Sequence, residues 1–380
     1  MNRNVRITVV LFLTLVAAGH SQSSRKPSGA TTDALQKCLR EYRKEYSIPG
    51  IAAVVLTSER ILDIGVDGVR KLGEPDSIEI DDKFHIGSNT KAMTGFVAGV
   101  LVGKGLIGWD TRISDVFPEF VETTRDVYKD KTLQDLLSHR ARIRKFMSGS
   151  EFAQLPEFQG SYVEQRMAFA GWLLQQEPVD IDTTRGYTYS NAGYAIAAAM
   201  LEKVSGKSWE KLMQKELFEP LEIAAAFGWP AYADEDQPWG HYYDADSERV
   251  VPHDPRDEYQ LPKIASAAGD VSVSIKDYAK FLSINLFGLN SKDTILETAT
   301  YRYLHTCNDS TKQYAIGWGR RQHEGYAVSR HNGSAGTFYC TAIVFRDKDL
   351  ALAVMMNGDA PEAVKGIAEL RERILKTYLE

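Results

Sequence analysis

Apolar residues recur at helical spacing in some stretches of the chain and run together or alternate in others, and this pattern alone divides it into elements. Leu35, Cys38, Leu39 and Tyr42 share one face of a predicted helix over 33–46, with Asp33 as its cap and Ile48-Pro49-Gly50 as its stop. The β-branched runs 51–56 and 60–66, parted by Thr57-Ser58-Glu59, predict a hairpin in a covered sheet. Met93, Phe96, Val97, Val100 and Leu101 predict a buried helix that begins close to Ser88 and runs to about Lys104. Further helices are expected over 133–139, 162–175, 191–204, 209–217 and 277–286, and a proline in the first turn opens a last one over 361–379. The polar, proline-containing stretch 231–262 reads as loops with a small hairpin. Strands are predicted over 314–320, 326–330, 339–345 and 350–356.

Strands at both ends with helices between them predict an α/β plus all-α fold. Residues 33–90 and 264–380 would form a discontinuous antiparallel sheet domain flanked by helices, and 91–263 an inserted, mainly helical domain. At 380 residues, 43% apolar and 25% charged, the chain can bury a core of that size. A net charge of −6, with lysines and arginines spread along the sequence, gives no basic surface for nucleic acid.

The N-terminus changes the expected location. Arg3 and Arg6 precede an apolar run over 7–18 and then small residues, the pattern of a signal peptide over 1–21. A dozen apolar residues fall short of the roughly 20 that a membrane span needs, so export to the periplasm or medium is expected, with no stable membrane anchor. Cys38, Cys307 and Cys340 permit either one disulfide and one free thiol or three buried thiols. The eight histidines show no metal spacing, and neither a metal nor another cofactor is expected.

Candidate chemistry starts at Ser88. A serine at the start of a helix with Lys91 one turn on has an amine within reach of its hydroxyl, and a lysine whose pKa is lowered by burial can take the serine's proton. The spacing is not distinctive, because Ser23 with Lys26 and Ser208 with Lys211 repeat it, and Ser208 reads as an N-cap. Two further stretches add to it: Tyr189-Ser190-Asn191 ahead of an apolar helix, and His331-Asn332-Gly333-Ser334 opening a strand.

In this order the three stretches resemble the motifs of the penicillin-recognising serine hydrolases, in the branch of class C β-lactamases, D-peptidases and related carboxylesterases. Leu136-Leu137-Ser138-His139, Ser205-Gly206-Lys207-Ser208-Trp209, Leu217-Phe218-Glu219-Pro220-Leu221 and Ala267-Ala268-Gly269 are similar to landmarks of that family, so the likeness runs from about Leu35 to the last helix. The resemblance implies that Ser88 is the nucleophile, Lys91 its activating partner, and Tyr189 a base in acylation and proton donor to the leaving group. It also implies that Asn191 holds the substrate and the Lys91 amine, that His331 and Gly333 line the site, and that the N–H groups of Ser88 and Ser334 form the oxyanion hole. Whether Lys91 or Tyr189 takes the first proton is left open. A side chain at Gly333 would block the approach of substrate to the strand.

The implied function is an exported serine hydrolase acting through an acyl-enzyme on small esters, amides or D-amino-acid peptides. The alternatives are a true β-lactamase, or a protein that is acylated and turns over negligibly. Where β-lactamases have lysine this chain has His331, whose charge is expected to fade as pH rises past about 6.5, taking carboxylate-bearing substrates with it. One departure stands out: Arg142 occupies a place where relatives carry glycine, and arginine disfavours a positive φ.

Overall fold

The computed structural model describes residues 29–147, 149–257, 262–309 and 311–379, so the expected signal peptide and the Ser23–Lys26 pair lie outside the described residues. Its strands, in chain order, are β1 (Gly50–Leu56), β2 (Ile61–Gly68), β3 (Lys83–His85), β4 (Ala226–Phe227), β5 (His241–Asp244), β6 (Arg249–Pro252), β7 (Val271–Ser274), β8 (Gly319–His323), β9 (Tyr326–Ser334), β10 (Tyr339–Phe345) and β11 (Ala351–Met356). Six form one sheet in the order β2-β1-β11-β10-β9-β8, and every pairing in it is antiparallel. The sheet is therefore assembled from the two ends of the chain, as the pattern predicts.

Alternation along these strands supplies two cores. Ile51, Ala53, Val55, Val354 and Met356 face Leu35 and Leu39 of the first helix and Ile367, Leu370 and Ile374 of the last. Ala52, Val54, Ala353, Met355 and Ala342 face the other way, into the larger core built with the helices Thr90–Gly103, Asn191–Ser205 and Ile275–Leu289. Because both faces are covered, the strands read as continuous apolar runs. Burial on this scale, at about 25 cal/mol per Å² of apolar surface, is the main term holding the fold.

Two expectations need correction, and two elements were not expected. The first helix spans Gly29–Glu45, so it begins four residues before Asp33, which is not its cap. Nothing in Ala30-Thr31-Thr32 breaks a helix, and a helix anchored by Leu35 and Leu39 propagates toward its start at little cost. The strand expected over 314–320 begins only at Gly319, and the apolar residues Tyr314, Ala315 and Ile316 form a buried loop instead. That loop satisfies its backbone outside a ladder: Ile316 N donates to Leu304 O, Ala315 N to Trp318 O, and Arg140 donates to Tyr314 O. A helix at Thr298–Thr306 and the small sheet β3-β7-β4 were not expected. By contrast the small hairpin within 231–262 is present as β5-β6. All three cysteines are free thiols, with Cys307 and Cys340 buried.

Candidate active site

Ser88 sits in a 3-10 turn, Gly87–Asn89, that leads into the helix Thr90–Gly103. The turn is wedged between two strands. Ile86 N donates to Val271 O of β7, and Val271 N donates to the Thr90 hydroxyl. On the other side β9 presses so closely that a Cβ on Gly333 would lie 1.9 Å from Ile86 O and 2.8 Å from Ser88 N. Gly87, at φ 50°, has the reciprocal problem, since a Cβ there would stand 2.7 Å from Ser334 N. Glycine at 333 is thus demanded by the protein's own backbone, a reason separate from the expected approach of substrate. The same contact brings the amides of Ser88 and Ser334 to one place.

Lys91 is fully buried, and its amine reaches three oxygens: Ser88 Oγ at 3.0 Å, Asn191 Oδ1 at 2.8 Å and Ala268 O at 2.6 Å. The Asn191 amide is oriented by Nδ2 donating to Phe146 O at 2.8 Å, which turns its oxygen toward Lys91. Burial pushes the Lys91 pKa well below its ordinary value. A neutral amine has two N–H bonds and one lone pair, and Ala268 O and Asn191 Oδ1 can only accept. Both N–H bonds are then committed, and the lone pair is left for the Ser88 hydroxyl.

Tyr189 moves in the opposite direction. Burial raises its pKa, against a smaller lowering by its hydrogen bond with Ser88, so its phenol keeps its proton at neutral pH. The Lys91 amine lies 4.7 Å from the Tyr189 ring centroid and 5.3 Å from that of Tyr194. Ser190, between the motif residues, is the N-cap of the Asn191–Ser205 helix, accepting from Gly193 N and donating to Arg144 O. Ser208 caps its own helix by accepting from Lys211 N, as expected.

His331 does not behave as its sequence position suggests. Its Nδ1 donates to Asn332 O at 2.7 Å, so Nε2 accepts from Tyr314 Oη at 2.9 Å. Burial, reinforced by the nearby Lys91, lowers its pKa to about 3. The ring is neutral throughout the working range, which overturns the expectation that its charge fades near pH 6.5. Burial sets its protonation, and Tyr314 supplies the hydrogen bond that its Nε2 accepts.

Two residues of the site escaped the sequence reading. Tyr314 lay in a run taken for a strand. His139 was visible only as a landmark, yet its ring lies 4.2 Å from that of Tyr189 and 4.6 Å from that of Tyr314. Its Nδ1 accepts from Ser190 N at 3.2 Å, which ties the Tyr189 segment to the loop after His139. That loop contains Arg142, which does take a positive φ, 64°. A non-glycine there costs on the order of 1 kcal/mol or more. It is held by a pair of hydrogen bonds with Val179, N–H to Arg142 O at 2.9 Å and Arg142 Nε to Val179 O at 3.1 Å. A few residues on, the same loop meets the Tyr189 segment again, where Lys145 O accepts from Asn191 N.

These groups open onto a cleft of about 650 Å³ that Ser88, Tyr189, Asn191, His331, Ser334 and Tyr314 line together. Its outer part carries Lys145, Arg185, Arg321 and Arg330 against one carboxylate, Asp182. Among the described residues no cluster of three or more His, Cys, Asp or Glu could hold a metal ion.

Sheet, helical insert and a Ser-Lys-Tyr-Asn cluster at the floor of a cleft are together those of a serine hydrolase. A profile of the beta-lactamase family matches residues 35–376. Penicillin-binding protein 4 of Amycolatopsis lactamdurans is 25% identical over 329 residues, 83% of this chain and 82% of that one. Unguisins hydrolase ungD of Aspergillus violaceofuscus is also 25% identical over 329 residues, but the chain spans only 56% of its length. The class C beta-lactamase of Rhodobacter sphaeroides superposes with a TM-score of 0.68 at 18% identity, over 90% of this chain and 99% of that one, a likeness of fold. The chain belongs to the beta-lactamase family, and its relatives are serine hydrolases.

Proposed function

We propose that the protein hydrolyses small esters, amides or D-amino-acid peptides through an acyl-enzyme on Ser88. Lys91 takes the Ser88 proton as the oxygen bonds to the substrate carbonyl carbon. The oxyanion that forms accepts hydrogen bonds from the N–H groups of Ser88 and Ser334. As the intermediate collapses, the leaving group departs with a proton from Tyr189, and the proton held on Lys91 restores the phenol. Water then repeats the sequence on the ester. Asn191 steadies Lys91 and offers hydrogen bonding to the substrate, while the neutral His331, fixed by Tyr314, borders the cleft.

The observation that carries this reading is the contact of the Lys91 amine with Ser88 Oγ beside two groups, Asn191 Oδ1 and Ala268 O, that can only accept, so that a neutral amine has its lone pair left for Ser88. It supports Lys91 as the first base, a choice the sequence left open. A neutral group at His331 supports uncharged groups beside the scissile bond over the carboxylate of a β-lactam, so a true β-lactamase is the weaker reading.

Residues 1–21 are read as a signal peptide, which makes the mature protein an exported one beginning between about Ser21 and Ser24. Among the described residues no helix is long and apolar enough to cross a membrane. N-terminal sequencing of secreted material tests the cleavage; a chain beginning at Met1 in a membrane fraction contradicts it.

The enzymatic reading is tested by a turnover screen with p-nitrophenyl esters, D-peptides and a chromogenic β-lactam, read together with intact mass. Turnover of esters or peptides is expected. Accumulation of acylated protein without turnover of any of them would instead support a sensor.

A further inference from the structure

Just before the last helix, which spans Pro361–Leu379, Asp359 reaches back to the end of β9. Its Oδ2 accepts a hydrogen bond from the Ser334 hydroxyl. Gly336 N donates to the same Ser334 oxygen at 3.3 Å, and the Gly336 N–H also interacts with the Asp359 carboxyl. One carboxylate therefore grips both ends of the Ser334-Ala335-Gly336 segment, where β9 leaves the sheet. Ser334 is also the residue whose backbone stands against Gly87, next to Ser88.

Ser334 is itself exposed, and at this point β9 has already outrun its neighbour on one side. Its pairing with β8 ends at Arg330 opposite Gly319, so the four residues His331–Ser334 are laddered to β10 alone. A strand end held on one edge needs another restraint if an amide on it is to be aimed within a fraction of an ångström.

We propose that Asp359 is a positioning residue for the Ser334 amide, acting through the Ser334 hydroxyl; this rests on the reading of that amide as part of the oxyanion hole. The carboxylate fixes the Ser334 side chain and the Gly336 turn together, and with them the direction of the Ser334 N–H. It does not touch the substrate.

Burial raises the pKa of Asp359 to about 6, with the hydrogen bonds from Ser334 and Gly336 acting the other way. The neighbouring titratable group that faces it is Tyr339 of β10, itself held up at about 12 and so protonated throughout. Protonating Asp359 turns one acceptor oxygen into a donor and loosens the grip. Activity should therefore carry an acid limb from this group, present above about pH 6 and lost below it.

The test uses the full chain and a p-nitrophenyl ester. Asp359→Ala should lower kcat roughly tenfold with little change in KM, since the amide acts on the transition state. Asp359→Asn, which like the protonated acid offers one acceptor and one donor, should hold kcat at the level of the acid side of the limb at every pH and so should lack the limb near pH 6. In a Ser334→Ala background, Asp359→Ala should cost little more. Wild-type kcat in Asp359→Ala, additive losses in the double variant, or an unchanged acid limb in Asp359→Asn would each overturn the proposal, and the Asn variant decides it if the Ala variant does not fold. Fluorophosphonate labelling separates the two readings. A wild-type protein not labelled at Ser88 defeats the nucleophile assignment, whereas a labelled one with unaffected Asp359 variants defeats only the role of Asp359.

Discussion

Lys91 and Tyr189 are pushed in opposite directions by the same burial, because desolvation disfavours the charged form of each. The amine becomes a base and the phenol remains an acid. Tyr189 should then matter most where the leaving group needs a proton. Tyr189→Phe is expected to slow hydrolysis of an alkyl ester or amide by roughly 10²- to 10⁴-fold, and that of a p-nitrophenyl ester by much less. Equal losses on both substrates would make the tyrosine a base instead.

The lowered pKa of Lys91 also ties stability to pH. An unfolded lysine stays protonated up to about 10.4, while the folded one releases its proton at lower pH, so in that interval the unfolded chain binds more protons and stability rises with pH. The stability advantage of Lys91→Met over wild type should accordingly shrink from neutral pH toward pH 10, as measured by urea unfolding. A difference that does not vary with pH would contradict burial of the free amine.

At this scale the sequence pattern named residues that the fold brings together, and it missed the state of His331. Ser88, Lys91, Tyr189, Asn191, His331, Gly333 and Ser334 do converge on one cleft or border it, because motif spacing records which side chains meet. The state of His331 was illegible, since it depends on burial that no motif encodes, and its hydrogen-bond partner Tyr314 lies 17 residues away along the chain.

Among the elements, helices of the inserted region are joined by charge as well as by apolar packing. Arg166, fully buried on the helix Tyr162–Leu173, donates to Glu202 at 2.7 Å and Glu210 at 2.9 Å, and to Lys263 O at 3.1 Å. Glu202 also accepts from Trp209 N at 2.7 Å. Removing one partner strands a buried charge, so Arg166→Met should destabilise the protein by about 3 to 5 kcal/mol. A loss under about 1 kcal/mol in denaturant melts would show that the cluster is solvated.

Gly333→Ala tests the junction of β9 with the Ser88 turn. Its Cβ would meet the Ile86 carbonyl, a backbone atom with nowhere to go, and overpacking of this kind costs about 1 to 3 kcal/mol. A variant that unfolds at the same temperature as wild type would show that the two segments lie further apart in solution.

Long elements were legible for a physical reason: the helix Pro361–Leu379 buries a repeating face, whereas the helix Asn191–Ser205 and the strands β10 and β11 are buried almost throughout and read as apolar runs. The small sheet β3-β7-β4 was not, because strands of two to four residues show no period. The loop at Tyr314 was misread because an apolar run reports burial, and burial is shared by strands and by loops whose backbone finds partners elsewhere.

For the whole molecule, the charge is unevenly placed. The chain carries a net −6, yet the outer cleft presents four cations and one carboxylate. Clefts of one sign focus the field and raise the encounter rate of oppositely charged ligands, an effect that salt removes. For esters with an anionic group remote from the scissile bond, kcat/KM should fall by several-fold between about 20 and 300 mM salt, and a neutral analogue should barely respond. Parallel salt profiles for the two would show that the cations do not steer substrate.

Activation of Ser88 by Lys91 is tested most directly by the rate and position of fluorophosphonate labelling, followed by intact mass and peptide mapping in wild type and Lys91→Ala. One adduct is expected, on Ser88, forming faster as pH rises through the lowered pKa of Lys91 and nearly abolished in Lys91→Ala. Label on Ser208 or Ser334, or labelling of Ser88 at an undiminished rate in Lys91→Ala, would contradict that activation.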